Sequence, residues 1–278
     1  MSINSPVKLT LWLSLPLSLL LVFTSCVGIF TGEFYANETL NWQAQSLGQD
    51  LVDLFLITPC LVLTSLFTAR NNRTAFLLWG GVVIYLTYTF VIYCFNVHFN
   101  KLFFLYCIEL GLSFYACVLF IFECRKRNIE IVKEKMGIFN LTGIYFIIVA
   151  SLFYLLWLSE ILPSIFNNTT PAILKEAGLF TNPVHVLDLS VVLPGIFITG
   201  ILILKKNYFG FILAPAVLVF FILMNLTIGF MVMLMISRGL ESNPAVAIGM
   251  AVLAVFSFVL LRLFLKQNVE RRTRNYER

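Results

Sequence analysis

Charge is scarce in this chain. Only 12% of its 278 residues are charged and 60% are hydrophobic, so the sequence lacks the polar surface that a water-soluble fold of this size needs. Its mean hydropathy is +0.93, and the solvent it is built for is lipid. Histidine is nearly missing as well. The two present, His98 and His185, cannot build a His-rich zinc site, and axial haem ligation by that pair is a remote alternative. No metal and no cofactor is therefore predicted. The six cysteines lie in or beside apolar runs with no CxxC spacing, which argues against a disulfide framework and reads as small apolar packing. HExxH, G-x-S-x-G and a Gly-rich phosphate loop are absent from the sequence, so no catalytic residue is assigned.

Long apolar runs are plentiful. Eight qualify as spans of a bilayer core about 30 Å thick, at roughly 9–31, 51–69, 75–96, 102–122, 138–162, 184–204, 208–236 and 244–265. Each is continuously apolar where barrel strands alternate, which predicts an all-α polytopic membrane helix bundle of eight transmembrane helices. The first run follows Lys8 and ends near FTSC, but it is longer than a signal-peptide core and fits a lipoprotein cleavage box poorly, so a retained helix is expected. With the N-terminus inside, all but three of the 19 Lys and Arg residues fall on inner segments. The exceptions are Lys101, Lys175 and Arg238. The positive-inside rule then puts both termini in the cytoplasm of a cell-membrane protein. Basic loops beside anionic headgroups account for the net charge of +5 without a nucleic-acid partner.

Sliding the chain on itself by 135 residues lays DLVDLFLITPCLVLTSLFTARNN (50–72) over HVLDLSVVLPGIFITGILILKKN (185–207) without a gap. Asp53 falls on Asp188, Pro59 on Pro194, Thr64 on Thr199 and Asn72 on Asn207, and the helix breakers Gly80-Gly81 fall on Pro215-Ala216. This register predicts two parallel four-helix repeats, 1–136 with a basic loop and 137–266, followed by a basic tail at 267–278. The long external segments after the first and fifth runs, TGEFYANETLNWQAQSLGQD and SIFNNTTPAILKEAGLFTNP, occupy equivalent places in the two halves.

A handful of polar residues in these runs require explanation. Asn182 is an expected N-cap with Pro183 at the first helical position, which leaves Asp188 two turns in. In the second run Asp50 is the expected N-cap and Asp53 the third helical residue, facing the positive end of the helix dipole. Pro59 and Pro194 predict kinks that free the carbonyls of Phe55 and Ser190. Glu109, about 12 Å into the fourth run, is the most expensive residue of all, since an ionised acid there costs roughly 2.5–3.5 kcal/mol. Three readings stay open for it: a protonated Glu acting as interhelical glue, a proton or ion carrier, or a Glu that faces lipid. Tyr106, Glu109, Ser113 and Cys117 form one stripe, with Tyr85, Tyr88 and Asn96 on the third run and Asn225 on the seventh. These stripes are expected to face the interior. Asp50, Asp53, Asn96, His98, Glu160, His185 and Asp188 gather at the outer ends, where a polar pocket is sought.

GQDLVDL with its following proline and basic turn, together with HVLDLSVVLPG and KKNYFGF, resembles bacterial multi-pass membrane proteins known as conserved hypotheticals. That resemblance covers helices two to four and six to seven and implies the eight-helix fold, with no activity attached. Besides the lipid bilayer, a small polar solute or cation is the partner that the acids suggest. Three functions are weighed: a non-transporting component (sensor, scaffold or assembly partner), slightly favoured; a transporter or solute-binding protein using Asp53, Asp188 and Glu109; and an intramembrane enzyme, although the GxGD context of intramembrane aspartyl proteases is missing.

Overall fold

A computed structural model describes residues 6–31, 33–126 and 136–276 of the chain. Most of the basic segment RKRNIEIVKEK and the side chains of the basic tail lie outside the described residues. Among the described residues all regular structure is helical, and eight helices are long and apolar enough to cross a membrane. They are α1 (Pro6–Thr31), α2 (Leu40–Ala69), α3 (Arg73–Asn96), α4 (Phe103–Lys126), α5 (Met136–Phe166), α6 (Pro183–Leu204), α7 (Tyr208–Ser237) and α8 (Pro244–Tyr276). The chain is thus an all-α, multi-pass membrane bundle. Its side chains are sorted as lipid demands: Trp12, Leu19, Phe55, Ile148, Leu152 and Val252 are exposed, whereas Ser14, Ser18, Ser113, Thr142 and Ser257 are buried. Lipid tails are as apolar as leucine, so helices associate through close packing and polar contacts rather than by hiding apolar surface.

The described residues fall into two compact units, one drawn from Met1–Asn128 and Leu218–Leu261, the other from Ile129–Val217 and Arg262–Arg278. In the first, α3 is the most buried of the spans. Its Trp79 indole donates to Ser14 Oγ of α1 at 2.9 Å, and Phe76, Trp79 and Phe120 pack as a ring cluster. In the second unit α5 and α6 touch backbone to backbone at Gly143 and Gly200, where a Cβ on Gly200 would stand 2.7 Å from the Gly143 carbonyl oxygen. Phe139, Phe211 and Phe264 close that unit, with ring centroids 4.8 Å to 6.4 Å apart.

The second span corrects the sequence reading. Its helix starts at Leu40, with Thr39 as N-cap accepting from the Trp42 N–H at 3.3 Å, so Asp50 is not a cap and Asp53 is not in a first turn. The segment expected as an external loop up to Asp50 is instead a 3₁₀ turn (Glu33–Tyr35) followed by helix. The apolar run begins only at Leu51 because the first turns of α2 are polar: Gln43 donates to the Glu38 carbonyl and Gln45 to Asn41. Thirty residues extend about 45 Å, half as long again as the hydrocarbon, so these turns stand in the interfacial region. The cap at Asn182 is as expected: its side chain accepts from the Val184 N–H at 2.9 Å. Gly80-Gly81 and Pro215 do not break α3 and α7, which run through them.

Both prolines in question follow a local widening of the helix. α2 makes a π turn at Asp53–Ile57 and α6 makes one at Asp188–Val192, each just ahead of its proline, with the N–H of Thr58 reaching back five residues to Asp53 O and that of Leu193 to Asp188 O. The same 135-residue offset relates the helix ends. Asn71 (φ 60°) and Lys206 (φ 57°) take the left-handed conformation, and Asn72 N–H bonds Phe67 O at 3.1 Å as Asn207 N–H bonds Leu202 O at 2.8 Å. These are matched Schellman closures. Thr64 and Thr199 likewise bond the carbonyls four residues back, at 2.6 Å and 2.7 Å. A left-handed conformation costs a side-chain-bearing residue about 1 kcal/mol that glycine does not incur. Lys206→Gly should therefore raise the melting temperature of the detergent-solubilised protein and Lys206→Val should lower it, as read by thermal unfolding.

Candidate functional site

The polar interior of the first unit is built around two turns of α2. Asp50 points inward and both its oxygens accept hydrogen bonds, Oδ2 from the Tyr35 hydroxyl at 2.8 Å and Oδ1 from the Tyr93 hydroxyl at 2.9 Å. Gly28 of α1 makes room for it, because a Cβ there would lie 1.9 Å from Asp50 Oδ2. One turn on, Asp53 opens the π turn. Its Oδ1 accepts from Gln49 Nε2 at 2.9 Å, and the same amide reaches the Tyr85 hydroxyl at 2.8 Å, which in turn pairs with Thr227 Oγ1 of α7 at 2.8 Å. The Thr58 hydroxyl donates to the Asp53 carbonyl at 2.8 Å, occupying backbone that the π turn has displaced from the ordinary ladder. Glu109 of α4 accepts from the Thr24 hydroxyl of α1 at 2.9 Å through Oε1. Asp50, Asp53 and Glu109 are 3%, 2% and 0% exposed, so all three are withdrawn from the molecular surface. Tyr93, which donates to Asp50, meets the ring of Tyr106 at 5.0 Å, and Tyr106 stands one turn before Glu109, so the acids and tyrosines make one cluster.

The short segment between α1 and α2 closes this cluster. Glu38 accepts from the backbone N–H of His98 at 2.6 Å and lies 2.9 Å from its ring Nδ1, while Asn100 donates to the Phe34 carbonyl at 3.2 Å. These contacts fasten the 33–38 segment to the α3–α4 connection and hold Tyr35 against Asp50. Burial, and then the nearby Asp50 charge, push the Tyr35 hydroxyl well above the usual tyrosine range, so it remains a donor at any physiological pH.

Asp188 and His185 belong to the second unit and have their own partners. Trp157 of α5 donates from its indole to Asp188 Oδ2 at 2.8 Å, and its ring lies 4.6 Å from that of His185. His185 Nε2 stands 3.5 Å from Glu160 Oε2, with Glu160 itself exposed. Asn225 is buried in the first unit but donates its amide to Phe221 O, four residues back in its own helix, at 2.7 Å. It adds no bond to the acid cluster. Of the stripes expected to face the interior, Tyr85, Tyr88, Asn96, Tyr106, Glu109 and Ser113 are buried, and Cys117 is half-buried.

Sequence reasoning missed Tyr35, Gln49, Tyr93, Thr24, Thr227 and Trp157 as partners. Only Gln49 carried a local signal, standing four residues before Asp53 and so on the same helix face. Among the described residues, no three His, Cys, Asp or Glu side chains are grouped as a metal site requires. Fold and site together define a polytopic membrane helix bundle with an internal acid and tyrosine cluster. Family models, curated proteins and solved structures were compared with the chain, and none matches.

Gly28→Ala should displace Asp50 and lower thermal stability by about 1–3 kcal/mol, the cost of unpairing a buried polar group. Gly111→Ala, whose Cβ would meet nothing within 4 Å, serves as the neutral control in the same melting assay. Tyr35→Phe, which removes one donor and little volume, should fall on the destabilised side of that control.

Proposed function

We propose that this protein is a non-transporting membrane component, a sensor, scaffold or assembly partner, whose buried acids hold helices together. The observation that carries the reading is where the acid bonds go. Asp50 is held by Tyr35 and Tyr93, Asp53 through Gln49 to Tyr85 and Thr227, Glu109 by Thr24 and Asp188 by Trp157. Each chain of bonds links different helices or segments, and each engages its acid with a protein donor. Interhelical bonds of this kind contribute on the order of 0.6 kcal/mol each, enough in sum to select one packing of apolar helices.

A second reading, a transporter or solute-binding protein, draws support from the matched π turns. π turns recur at functional sites, and here two begin on acids related by the 135-residue offset that relates the surrounding turns. Those matches also support an ancestral duplication into two parallel halves, with α2 and α6 as counterparts. For orientation we infer cytoplasmic termini from the Lys and Arg distribution.

Two measurements test these statements. Alanine at Asp50, Asp53 or Asp188 should reduce abundance and melting temperature, whereas the amides Asp50→Asn, Asp53→Asn and Asp188→Asn, which keep an acceptor, should retain both abundance and the growth of a complemented deletion strain. Amide variants that fold normally but fail to complement would favour transport instead. Alkaline phosphatase fused behind Arg278 should be inactive and behind Thr170 active; the reverse pattern overturns the orientation.

A further inference from the structure

Most of the polar interior is bonded within the protein; of the buried side-chain atoms without a hydrogen bond, Thr68 Oγ1 and His185 Nε2 stand apart and the others belong to one seam. Both side-chain atoms of Asn96, the Tyr106 hydroxyl and Oε2 of Glu109 are buried and make no hydrogen bond. Tyr106 approaches Tyr35 and Asn100 without completing a bond of normal geometry to either. These groups are neighbours along the junction of α3 and α4. Asn96 is the last residue of α3, Tyr106 lies in the first turn of α4, and Glu109 follows one turn deeper on the same face. The rings of Tyr93, one turn before Asn96, and of Tyr106 meet at 5.0 Å, which brings the two helix ends together there. Beyond Asn96 comes His98, whose side chain is 42% exposed. The unbonded atoms therefore descend from an accessible end of the first unit to its most deeply buried acid.

The types of atom narrow the ligand. Asn96 offers an unused donor as well as an unused acceptor, Tyr106 can act as either, and Glu109 Oε2 accepts when ionised and donates when protonated. A metal cation would satisfy only the acceptors and would be repelled by the Asn96 amide hydrogens. Water satisfies both kinds, with two to four bonds per molecule, and buried waters are found where protein polar groups are otherwise unpaired.

We propose that internal water lines this seam from His98 to Glu109 and carries protons to and from the Glu109 carboxyl. A proton arriving as hydronium is relayed by making one O–H bond and breaking the next, and it ends as an O–H bond on Oε2 of the carboxylate. The reverse steps return it, and no electron is transferred. Thr24 holds the other oxygen throughout. Thr24 of α1 is bonded to Glu109, and Tyr106 stands one turn before it on its own helix. The inference holds whether or not the protein moves a solute, since it concerns only the seam.

The test is infrared difference spectroscopy on the full-length protein reconstituted in phosphatidylcholine vesicles. The carboxylic C=O band of Glu109 is identified by its loss in Glu109→Gln. On mixing with D₂O the wild-type band should shift promptly. In Asn96→Leu, which fills the seam with apolar atoms, it should persist without shifting over the same period. Tyr106→Phe keeps the ring contact with Tyr93 and loses only the hydroxyl, so it should slow exchange without the folding risk of the leucine variant. Exchange as fast as wild type in Tyr106→Phe and in any folded Asn96→Leu overturns the proposal. So does a wild-type band that does not exchange, or the lack of any band that Glu109→Gln removes.

Discussion

A carboxyl group inside hydrocarbon has no bulk water to turn to, and the rest of this structure is arranged around that constraint. Asp50, Asp53 and Glu109 are held by tyrosine and threonine hydroxyls and a glutamine amide rather than by ammonium or guanidinium groups. Neutral donors suit the location, because a buried ion pair would carry the desolvation of two charges instead of one. They also set the packing. Tyr85 must sit between α2 and α7, Thr24 must face α4, and Gly28 must lack a side chain for Asp50 to fit. The specificity that a soluble protein draws from its apolar core is supplied here by a polar one.

The same constraint gives the π turns a local logic. A proline removes an N–H from the helix ladder, and the carbonyls upstream must find other partners. In α2 the Thr58 N–H and hydroxyl both go to the Asp53 carbonyl, so the widened turn satisfies itself. In α6 the position of Thr58 is taken by Leu193, which has no hydroxyl, and only the N–H reaches Asp188 O. The two sites differ in their surroundings too. Asp53 is enclosed by amide and phenol groups, whereas Asp188 is only partly buried and leans on an indole beside a histidine. The same backbone device occurs at two places among different side chains.

Much of the fold was legible because bilayer thickness imposes a length on every span. Eight apolar runs became eight helices, and the Asn182 cap and the inward stripes on the third and fourth spans were readable from spacing alone. Asp53, Asp188 and Glu109 could be singled out because an acid in such a run is costly wherever it falls. The start of α2 was not legible, since its first turns are polar and are held by Thr39, Glu38 and neighbouring side chains rather than by apolarity.

What the sequence determined by itself is therefore the solvent, the number of spans and the identity of the costly residues, all of which follow from transfer free energy along a linear chain. What only the tertiary structure decided is who satisfies them. Tyr35 lies 15 residues from Asp50, Tyr93 lies 43 away and Thr24 lies 85 from Glu109, and no periodicity relates such positions. Hydrogen bonding acts over about 3 Å, and which distant residues come within that reach is settled only when the helices pack.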